Sequence, residues 1–236
     1  MALNVITPTP PAKQTRRHSP PLQSGDYLSR DEFERRYETM PEVKAELIEG
    51  VVYMASPVHL PHSEYHGIAL TWLGIYALST PGLRIADNVS LRLGKDSEVQ
   101  PDICAWIDKP VNAQRKEEEY LENIPELVVE IAASSASFDL RDKMQLYRRH
   151  GVREYLVLTV YEQETHWFTL DADHLYRPLL PDEKGIFHSV VFPGLRFAAG
   201  PFWRREWAKL HAVLQEGMAS PEYAAFAAQL QEKLTD

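Results

Sequence analysis

Two apolar segments in the middle of the chain each contain one acidic residue. In VQPDICAWI, the two-residue period of a β-strand places Asp102 on the same face as Cys104. In LVVEIA, the same period places Glu130 on a face with Val128 and Ala132. A buried carboxylate is costly unless it is paired or binds a metal. The pattern therefore predicts that Asp102 and Glu130 lie on two strands and share a cation.

The two acids also indicate a kind of chemistry. Hard divalent ions such as Mg²⁺ are commonly held by one or two carboxylates and several waters, which leaves positions open for phosphate oxygens. Such a site can activate water and screen the charge that develops on a phosphoryl group. The two carboxylates therefore favour phosphodiester hydrolysis.

The first half of the chain predicts helices and short strands in alternation. Ser29 followed by Glu32 is a capping box, so we expect order from Tyr27 and a short helix after it. AELIEGVVYMA predicts two strands that turn at 49–50. Apolar residues at one-face spacing over 65–76 predict a helix that ends before Pro81-Gly82, and the alternation in NVSLRL predicts a further strand.

The second half predicts a crossover between strands. FDLRDKMQLYRRHG reads as a helix closed by Gly151, and it lies between the strand of Glu130 and the apolar strand VREYLVLTV. THWFTL predicts another strand. Strand, helix and strand in this order indicate a mixed α/β sheet. WRREWAKLHAVLQEG and SPEYAAFAAQLQEKL predict two helices near the C-terminus.

Length and composition predict one large domain with two additions. The 236 residues are 44% hydrophobic, which is enough for a sizeable core over residues 25–200. Residues 1–24 are rich in proline and polar side chains, which predicts a disordered tail. Residues 201–236 form the predicted helical extension, and QRKEEEY predicts an exposed acidic connector.

Charge and cysteine content narrow the possible partners and compartments. The formal net charge is -9, so any polyanion must be met by a local basic patch. The single cysteine, Cys104, excludes an intramolecular disulfide and is typical of a reducing compartment. No apolar run approaches the length of a membrane span, and the N-terminus lacks the apolar stretch of a secretory signal. We therefore expect a cytoplasmic protein.

A family resemblance is carried by a series of motifs over about residues 27–170. In chain order they are ELIEG, SPVHLPH, PD, IPELVVEI, S-S-x-S-x-D, D-x-x-x-K-x-x-x-Y and GVREYLVL. In this order they resemble the Uma-type family of putative restriction endonucleases, part of the PD-(D/E)XK nuclease superfamily. The resemblance implies a restriction-endonuclease-like core with flanking helices and an added β-hairpin. It also implies dependence on Mg²⁺ or Mn²⁺, cleavage of phosphodiester bonds in DNA, and a homodimer.

The same resemblance assigns roles to individual residues. Asp102 matches the PD aspartate and Glu130 the acid of the (D/E)XK element, both as metal ligands, and the backbone carbonyl of Ile131 is a further ligand in such sites. The superfamily places a lysine two residues after the acid, where this chain has Ala132. Lys143 on the following helix is the candidate replacement, because its long side chain can reach back to orient water or offset charge.

Three of these positions have two interpretations each. Glu46 is either a solvent-facing strand residue or a third acid near the metal. His62, just before the second helix, is either a surface or capping residue or a metal ligand, and His59 has a weaker claim. Lys143 is either the migrated lysine or one half of an exposed ion pair with Asp139.

Nucleic-acid contact and catalysis also remain open at this stage. Arg141, Arg148 and Arg149 lie near the predicted site in sequence and are candidates for phosphate contacts, but they are equally consistent with a solvated face. The same applies to Arg153 and to a basic cluster at 204–209. The alternative to a nuclease is a catalytically silent nuclease-like module that binds nucleic acid or a protein, which Ala132 and the net negative charge favour.

Overall fold

A mixed six-stranded sheet forms the centre of the structure, a computed structural model that describes residues 19–55, 59–108, 120–133 and 135–235. The strands within these residues are β1 (Ala45–Ile48), β2 (Val51–Met54), β3 (Leu83–Asp87), β4 (Leu91–Leu93), β5 (Ser97–Val99), β6 (Ile103–Ile107), β7 (Leu127–Ala132), β8 (Glu154–Thr159), β9 (Glu164–Leu170), β10 (Tyr176–Pro178), β11 (Ile186–His188) and β12 (Arg196–Ala198). The α-helices are α1 (Arg30–Tyr37), α2 (Leu60–Ser79), α3 (Ala136–Phe138), α4 (Met144–Arg149), α5 (Ala199–Trp203), α6 (Trp207–Met218) and α7 (Pro221–Thr235).

The order of strands in the central sheet is β10-β9-β8-β7-β6-β3. β7 and β8 run parallel, with the helical segment 136–149 between them in the chain, and the other neighbouring pairs run antiparallel. A parallel pair needs a crossover connection, which the helical segment supplies. The predicted mixed α/β class and the crossover after β7 are confirmed.

β7 is buried on both faces, and this determines where its acid points. Leu127, Val129 and Ile131 belong to the main apolar core, on the side of α2. Val128 and Ala132 belong to a second core, on the side of α4. Neighbouring residues of a strand point to opposite faces, and Glu130 lies between Val129 and Ile131. Its side chain therefore faces the second core.

A second sheet, with the order β2-β1-β5-β4, contains the predicted hairpin. β1 and β2 pair with Ile48 opposite Val51, so the predicted turn at 49–50 is confirmed. Glu49 and Gly50 both have positive φ, which is the conformation of a two-residue type I′ turn.

The strand predicted over VQPDICAWI is wrong in its extent. β5 ends at Val99 and pairs with β1 and β4, whereas β6 begins at Ile103 and pairs with β3 and β7 in the central sheet. Pro101 stands between them, and proline has no backbone N–H to donate to a strand ladder. The chain therefore changes sheets immediately before Asp102.

Other differences concern the bounds of elements. β3 was not predicted, and the strand predicted over NVSLRL is confined to Leu91–Leu93. α2 begins at Leu60, so His62 lies in its first turn and not before it. Residues 1–18 of the Pro-rich tail predicted over 1–24, and residues 114–119 of the predicted acidic connector QRKEEEY (114–120), lie outside the described residues. Within 19–24, Leu22 is buried in a small core with Phe33, so this part of the tail is not exposed throughout.

The predicted helix after β7 is present, but it is not a regular α-helix. A π-helical turn, Asp139–Lys143, separates α3 from α4. The segment ends as expected, because Gly151 adopts a left-handed conformation with φ of 81°.

The C-terminal helices pack against the main core. Leu210 and Leu214 of α6 join the cluster that contains Trp72 of α2 and Phe197 of β12, and Tyr223 of α7 belongs to it as well. The two predicted C-terminal helices are thus confirmed. Among the described residues, no helix combines the length and the apolar character that a membrane crossing requires.

Candidate active site

Asp102 and Glu130 face each other at the end of the β6–β7 ladder. Ile103 pairs with Val129, so the register continued by one residue places Asp102 opposite Glu130. The backbone N–H of Ile131 donates to Oδ2 of Asp102 at 2.8 Å. The backbone N–H of Asp102 lies 3.4 Å from Oε2 of Glu130. The two acids that the sequence singled out therefore lie side by side at this end of the ladder.

Both carboxylates are buried, but their surroundings differ. Asp102 is 8% exposed and Glu130 is 3% exposed. Burial tends to raise the pKa of Asp102, but the contact with His62 and the N–H of Ile131 outweigh it and lower that pKa below its ordinary value. Burial raises the pKa of Glu130 to about 8, against the ammonium of Lys143, and the nearby acids add to the increase.

The ammonium of Lys143 lies among three carboxylates. Its Nζ is 3.0 Å from Oε2 of Glu46, 3.1 Å from Oε1 of Glu130 and 3.8 Å from Oδ1 of Asp139. Lys143 is 5% exposed and Asp139 is 3% exposed, so the interpretation as an exposed ion pair is wrong. Burial would lower the pKa of Lys143, but the three carboxylates raise it well above its usual value. The side chain is therefore a cation.

The π-helical turn explains how this cluster forms on one helical segment. In an α-helix, four residues make slightly more than one full turn. The side chains of Asp139, Lys143 and Tyr147 would therefore point in progressively different directions around the helix axis. A π turn contains more residues than an α turn, because its hydrogen bonds run from i to i+5. Four residues of the π turn therefore make slightly less than one full turn, which offsets the rotation of side-chain direction between Asp139 and Lys143. All three side chains consequently reach the interior.

Tyr147 completes the environment of Glu130. Its hydroxyl donates to Oε1 of Glu130 at 2.9 Å, and the residue is fully buried. Oε1 thus accepts from both Lys143 and Tyr147, and Oε2 is the oxygen turned toward Asp102.

Glu46 is an inner member of the same cluster. Its side chain is 12% exposed, and Oε1 accepts the backbone N–H of Gln100 at 2.7 Å. The interpretation of Glu46 as a solvent-facing residue is therefore wrong. The structure brings it together with Glu130 through Lys143, although β1 belongs to the other sheet.

Two histidines of α2 stand beside the acids. Nε2 of His62 lies 3.4 Å from Oδ2 of Asp102, and Nε2 of His66 lies 2.9 Å from Oδ1 of Asp87. The rings of the two histidines meet edge to face at 5.7 Å. Sequence reasoning missed His66 and Asp87. The spacing of His66, four residues after His62 on a helix, was the available signal.

These groups line a cleft of about 560 Å³. It is bounded by residues of β1 and β2, by the first turns of α2 and by the helical segment after β7. Side chains and backbone that line it apart from the acids include Lys44, Tyr53, His66, Gly67, Leu70 and Phe138. Ile131 also lines the cleft, as the sequence interpretation of its carbonyl requires.

Ala132, which stands where the resemblance leads one to expect lysine, is fully buried in the second core. It lies on the same face of β7 as Glu130. Lys143, on the helical segment after β7, places its ammonium 3.1 Å from Oε1 of Glu130.

The arginines considered for phosphate contacts lie elsewhere. Arg141, Arg148 and Arg149 are not among the residues that line the cleft. Arg149 forms an ion pair with Glu49, and Arg148 donates to the carbonyl of His174 at 2.9 Å. Arg141 is exposed. Near the C-terminus, Arg204 and Lys209 pair with Glu206, and Arg205 pairs with Glu64.

The donor set suits a hard divalent cation. Among the described residues, no group of three or more His, Cys, Asp and Glu side chains is arranged to hold a metal ion as it stands. Two adjacent carboxylates with several waters are nevertheless a usual Mg²⁺ environment. Asp102 and Glu130 provide oxygen ligands in a cleft where acids outnumber lysines, so the residues present fit such an ion.

Comparisons with known proteins agree with this fold. The structure is similar to that of a putative nuclease belonging to DUF820 from Anabaena variabilis ATCC 29413, with 15% sequence identity and a TM-score of 0.57 over 73% of this chain and 96% of that one. This likeness shows a shared fold and confirms the restriction-endonuclease-like class. A comparison with curated proteins found no match. The family model Uma2, described as "Putative restriction endonuclease", matches residues 30–200. The chain therefore belongs to the Uma2 family.

Proposed function

We propose that the chain is a Mg²⁺- or Mn²⁺-dependent endonuclease that hydrolyses phosphodiester bonds of DNA at the cleft of Asp102 and Glu130. Family membership and the fold support a nuclease. The observation that carries the proposal for this chain is the ammonium of Lys143, 3.1 Å from Glu130. It supplies the positive charge that Ala132 cannot, which favours an active enzyme over a silent module.

Asp102, Glu130 and the backbone carbonyl of Ile131 would hold the cation. When bound, a divalent cation supplies Lewis-acid polarisation of the phosphate and makes water more acidic. The N–H of Ile131 and the ring of His62 orient Asp102. Lys143 and Tyr147 orient Glu130. Because Glu46 is already engaged by Lys143 and by the N–H of Gln100, its role in the proposal is to hold Lys143 and not to bind the cation.

Lys143 has two roles in the proposed reaction. Its ammonium is positioned by three carboxylates, so it costs little reorganisation when charge develops on the phosphoryl group. It can also donate a hydrogen bond to the attacking water, since an ammonium has three N–H groups and only Glu46 and Glu130 among the three carboxylates lie within hydrogen-bond distance. Because Lys143 is only 5% exposed, such a contact is stronger there than it is in bulk water.

Nicking of supercoiled plasmid DNA in the presence of Mg²⁺ or Mn²⁺ tests the proposal. We expect cleavage by the unmodified chain and its loss, by a factor of about 10³ or more, in Asp102→Ala and Glu130→Ala. Asp87→Asn is the matched control, because it changes an acid in the same cleft that has no proposed ligand role. If no cleavage occurs with either metal, or if the alanine variants cut as well as the unmodified chain, the proposal of a nuclease site at Asp102 and Glu130 is wrong. Absence of cleavage with both metals would favour the silent-module alternative.

The homodimer and the cytoplasmic location expected from the sequence remain predictions. Light scattering of the purified chain measures the first, and fractionation of the producing cells measures the second.

A further inference from the structure

An aromatic pair lines the cleft near the buried acids. The rings of Tyr53, in β2, and Phe138, in α3, have centroids 4.5 Å apart and planes inclined by 40°. Both side chains are partly buried against the second core and also line the cleft. The pair therefore presents aromatic surface to whatever occupies the cleft.

The pair is linked in position to the cluster around Lys143. Tyr53 is the cross-strand partner of Glu46, and partners in an antiparallel ladder point to the same face. Phe138 immediately precedes Asp139. Each ring is thus attached beside a carboxylate that holds the ammonium of Lys143.

The dimensions of the cleft restrict the substrate. A volume of about 560 Å³ is that of a pocket for one small ligand, which is the scale of one or two nucleotides. Asp102 and Glu130 are 8% and 3% exposed, so a scissile phosphate must enter the cleft to reach them. Phosphates of duplex DNA are carried on a stiff double helix, whereas the backbone of an unpaired strand bends easily and can bring one phosphate into a narrow cleft.

The charge of the cleft also favours a single strand over duplex DNA. Duplex binding depends chiefly on lysines and arginines that neutralise phosphates. Among the residues that the structure describes, the cleft is lined by Lys44 and Lys143 against five acids, and Lys143 is engaged by three of these acids. Stacking of bases on aromatic rings does not require such neutralisation and tolerates any sequence.

We propose that the cleft accepts an unpaired DNA strand and that a base next to the scissile phosphate stacks on Tyr53 and Phe138. This inference rests on the proposed nuclease function, because it specifies the substrate of the same site. Any base can occupy that position of the strand, since every base has a π-face.

Cleavage rates with Mn²⁺ on three matched substrates test the proposal. These are a single-stranded oligonucleotide, its perfect duplex, and the duplex with a central unpaired bubble. We expect the single strand and the bubble to be cut at least about tenfold faster than the duplex. Tyr53→Ala and Phe138→Ala should raise the KM for the single strand by about tenfold, as loss of one stacked base implies. Tyr161→Ala, which removes an exposed tyrosine outside the cleft lining, should leave KM unchanged.

A binding measurement separates this inference from the proposed function. An oligonucleotide containing 2-aminopurine, added with Ca²⁺, should lose fluorescence on binding through stacking, and the loss should disappear in Tyr53→Ala and Phe138→Ala. Cleavage of the duplex at the rate of the single strand, abolished by Asp102→Ala, would overturn the inference and leave the nuclease proposal intact. Absence of any cleavage would overturn the nuclease proposal, and unchanged fluorescence would overturn the stacking inference independently.

Discussion

The ammonium of Lys143 lies 3.1 Å from Oε1 of Glu130, although the two residues are 13 positions apart in the chain. One belongs to a π-helical turn and the other to a central strand. Glu46 joins them from a different sheet. Because these carboxylates are buried together, the fold requires positive charge at this point, and Lys143 provides it without an external ion.

Replacement of Lys143 by Met should therefore destabilise the fold as well as abolish activity. Removal of one partner from a buried ionic cluster costs about 3–5 kcal/mol of unfolding free energy, since the remaining charges lose their counter-charge. Mn²⁺ should restore part of that loss, because a bound cation neutralises the same acids. Urea unfolding with and without Mn²⁺ measures both effects. Arg141→Met, an exposed change in the same π-helical turn, is the control and should leave stability within about 0.5 kcal/mol of the parent. A Lys143→Met chain as stable as the parent would contradict the assigned role.

Two neighbouring buried tyrosines offer a matched pair of variants. The hydroxyl of Tyr147 donates to Oε1 of Glu130, whereas that of Tyr155 donates to the backbone carbonyl of Asp139, and the rings are 5.1 Å apart. At pH 8.5, above the raised pKa of Glu130 of about 8, Tyr147→Phe should cost about 1.5–3 kcal/mol and Tyr155→Phe about 1 kcal/mol, because bonds to charged groups are stronger. Calorimetric titration should show weaker Mn²⁺ binding for Tyr147→Phe only. Equal affinities in the two variants would mean that Tyr147 serves packing alone.

Stability should fall between about pH 4.5 and 7 because of Glu98. Burial raises the pKa of this residue to about 7, the nearby Glu34 adds to the increase, and Arg92 opposes it. In that range the folded chain retains a proton that the unfolded chain releases, so the unfolding free energy decreases as pH rises. Glu98→Gln should make this decrease smaller by roughly 1–3 kcal/mol between pH 5 and 8. Chemical unfolding at several pH values measures it. The raised pKa of Glu130, about 8, contributes a further decrease that the variant keeps. Glu122→Gln, at an exposed acid that also contacts Arg92, is the control and should follow the parent curve.

Gly67 allows the cleft to be filled without disturbance of the core. A Cβ built on this residue meets nothing within 4 Å, and the residue lines the cleft inside α2. Gly67→Ala should stabilise the helix by about 0.5–1 kcal/mol and retain activity. Gly67→Leu should fold equally well but reduce cleavage at least about tenfold, because its side chain occupies substrate space. Comparison of melting temperature and cleavage rate in the two variants checks this. Full activity in Gly67→Leu would show that substrate does not occupy this part of the cleft.

The proximity of Asp102 and Glu130 could be predicted from the sequence for a physical reason. A strand has an exact alternation of faces, and an acid with apolar neighbours stands out against it. β6 and β7 are also neighbours in the sheet, so two such acids meet without help from distant elements. The helix after β7 was accessible for a similar reason, because its apolar spacing and Gly151 are local signals.

The rest of the cluster depends on information that local patterns do not contain. Glu46 reaches Lys143 because the two sheets meet, and periodicity within β1 says nothing about that meeting. The burial of Asp139 and Lys143 follows from a π turn, whereas the sequence was read with α-helical spacing. Glu98, fully buried beside Arg92 on a three-residue strand, lacks enough flanking sequence to reveal a periodic pattern.

The predicted bounds of strands were wrong where the position of the strand in its sheet determines them. β3 has Arg84 and Asp87 on the exposed edge of the central sheet, so its alternation is weak. The break between β5 and β6 did have a signal, since Pro101 cannot donate to a ladder. Recognition of that break would have placed Asp102 at a strand entrance, where a side chain can leave the ladder and accept the N–H of Ile131.

Calorimetric titration of Mn²⁺ into the parent chain and three carboxylate variants tests the central claim most directly. At pH 8.5, above the raised pKa of Glu130 of about 8, both ligands are ionised and binding should be strongest. We expect one Mn²⁺ per chain, affinity reduced at least about tenfold in both Asp102→Asn and Glu130→Gln, and unchanged affinity in Asp87→Asn. Equal binding in all four chains, or none in the parent, would contradict a cation held jointly by Asp102 and Glu130.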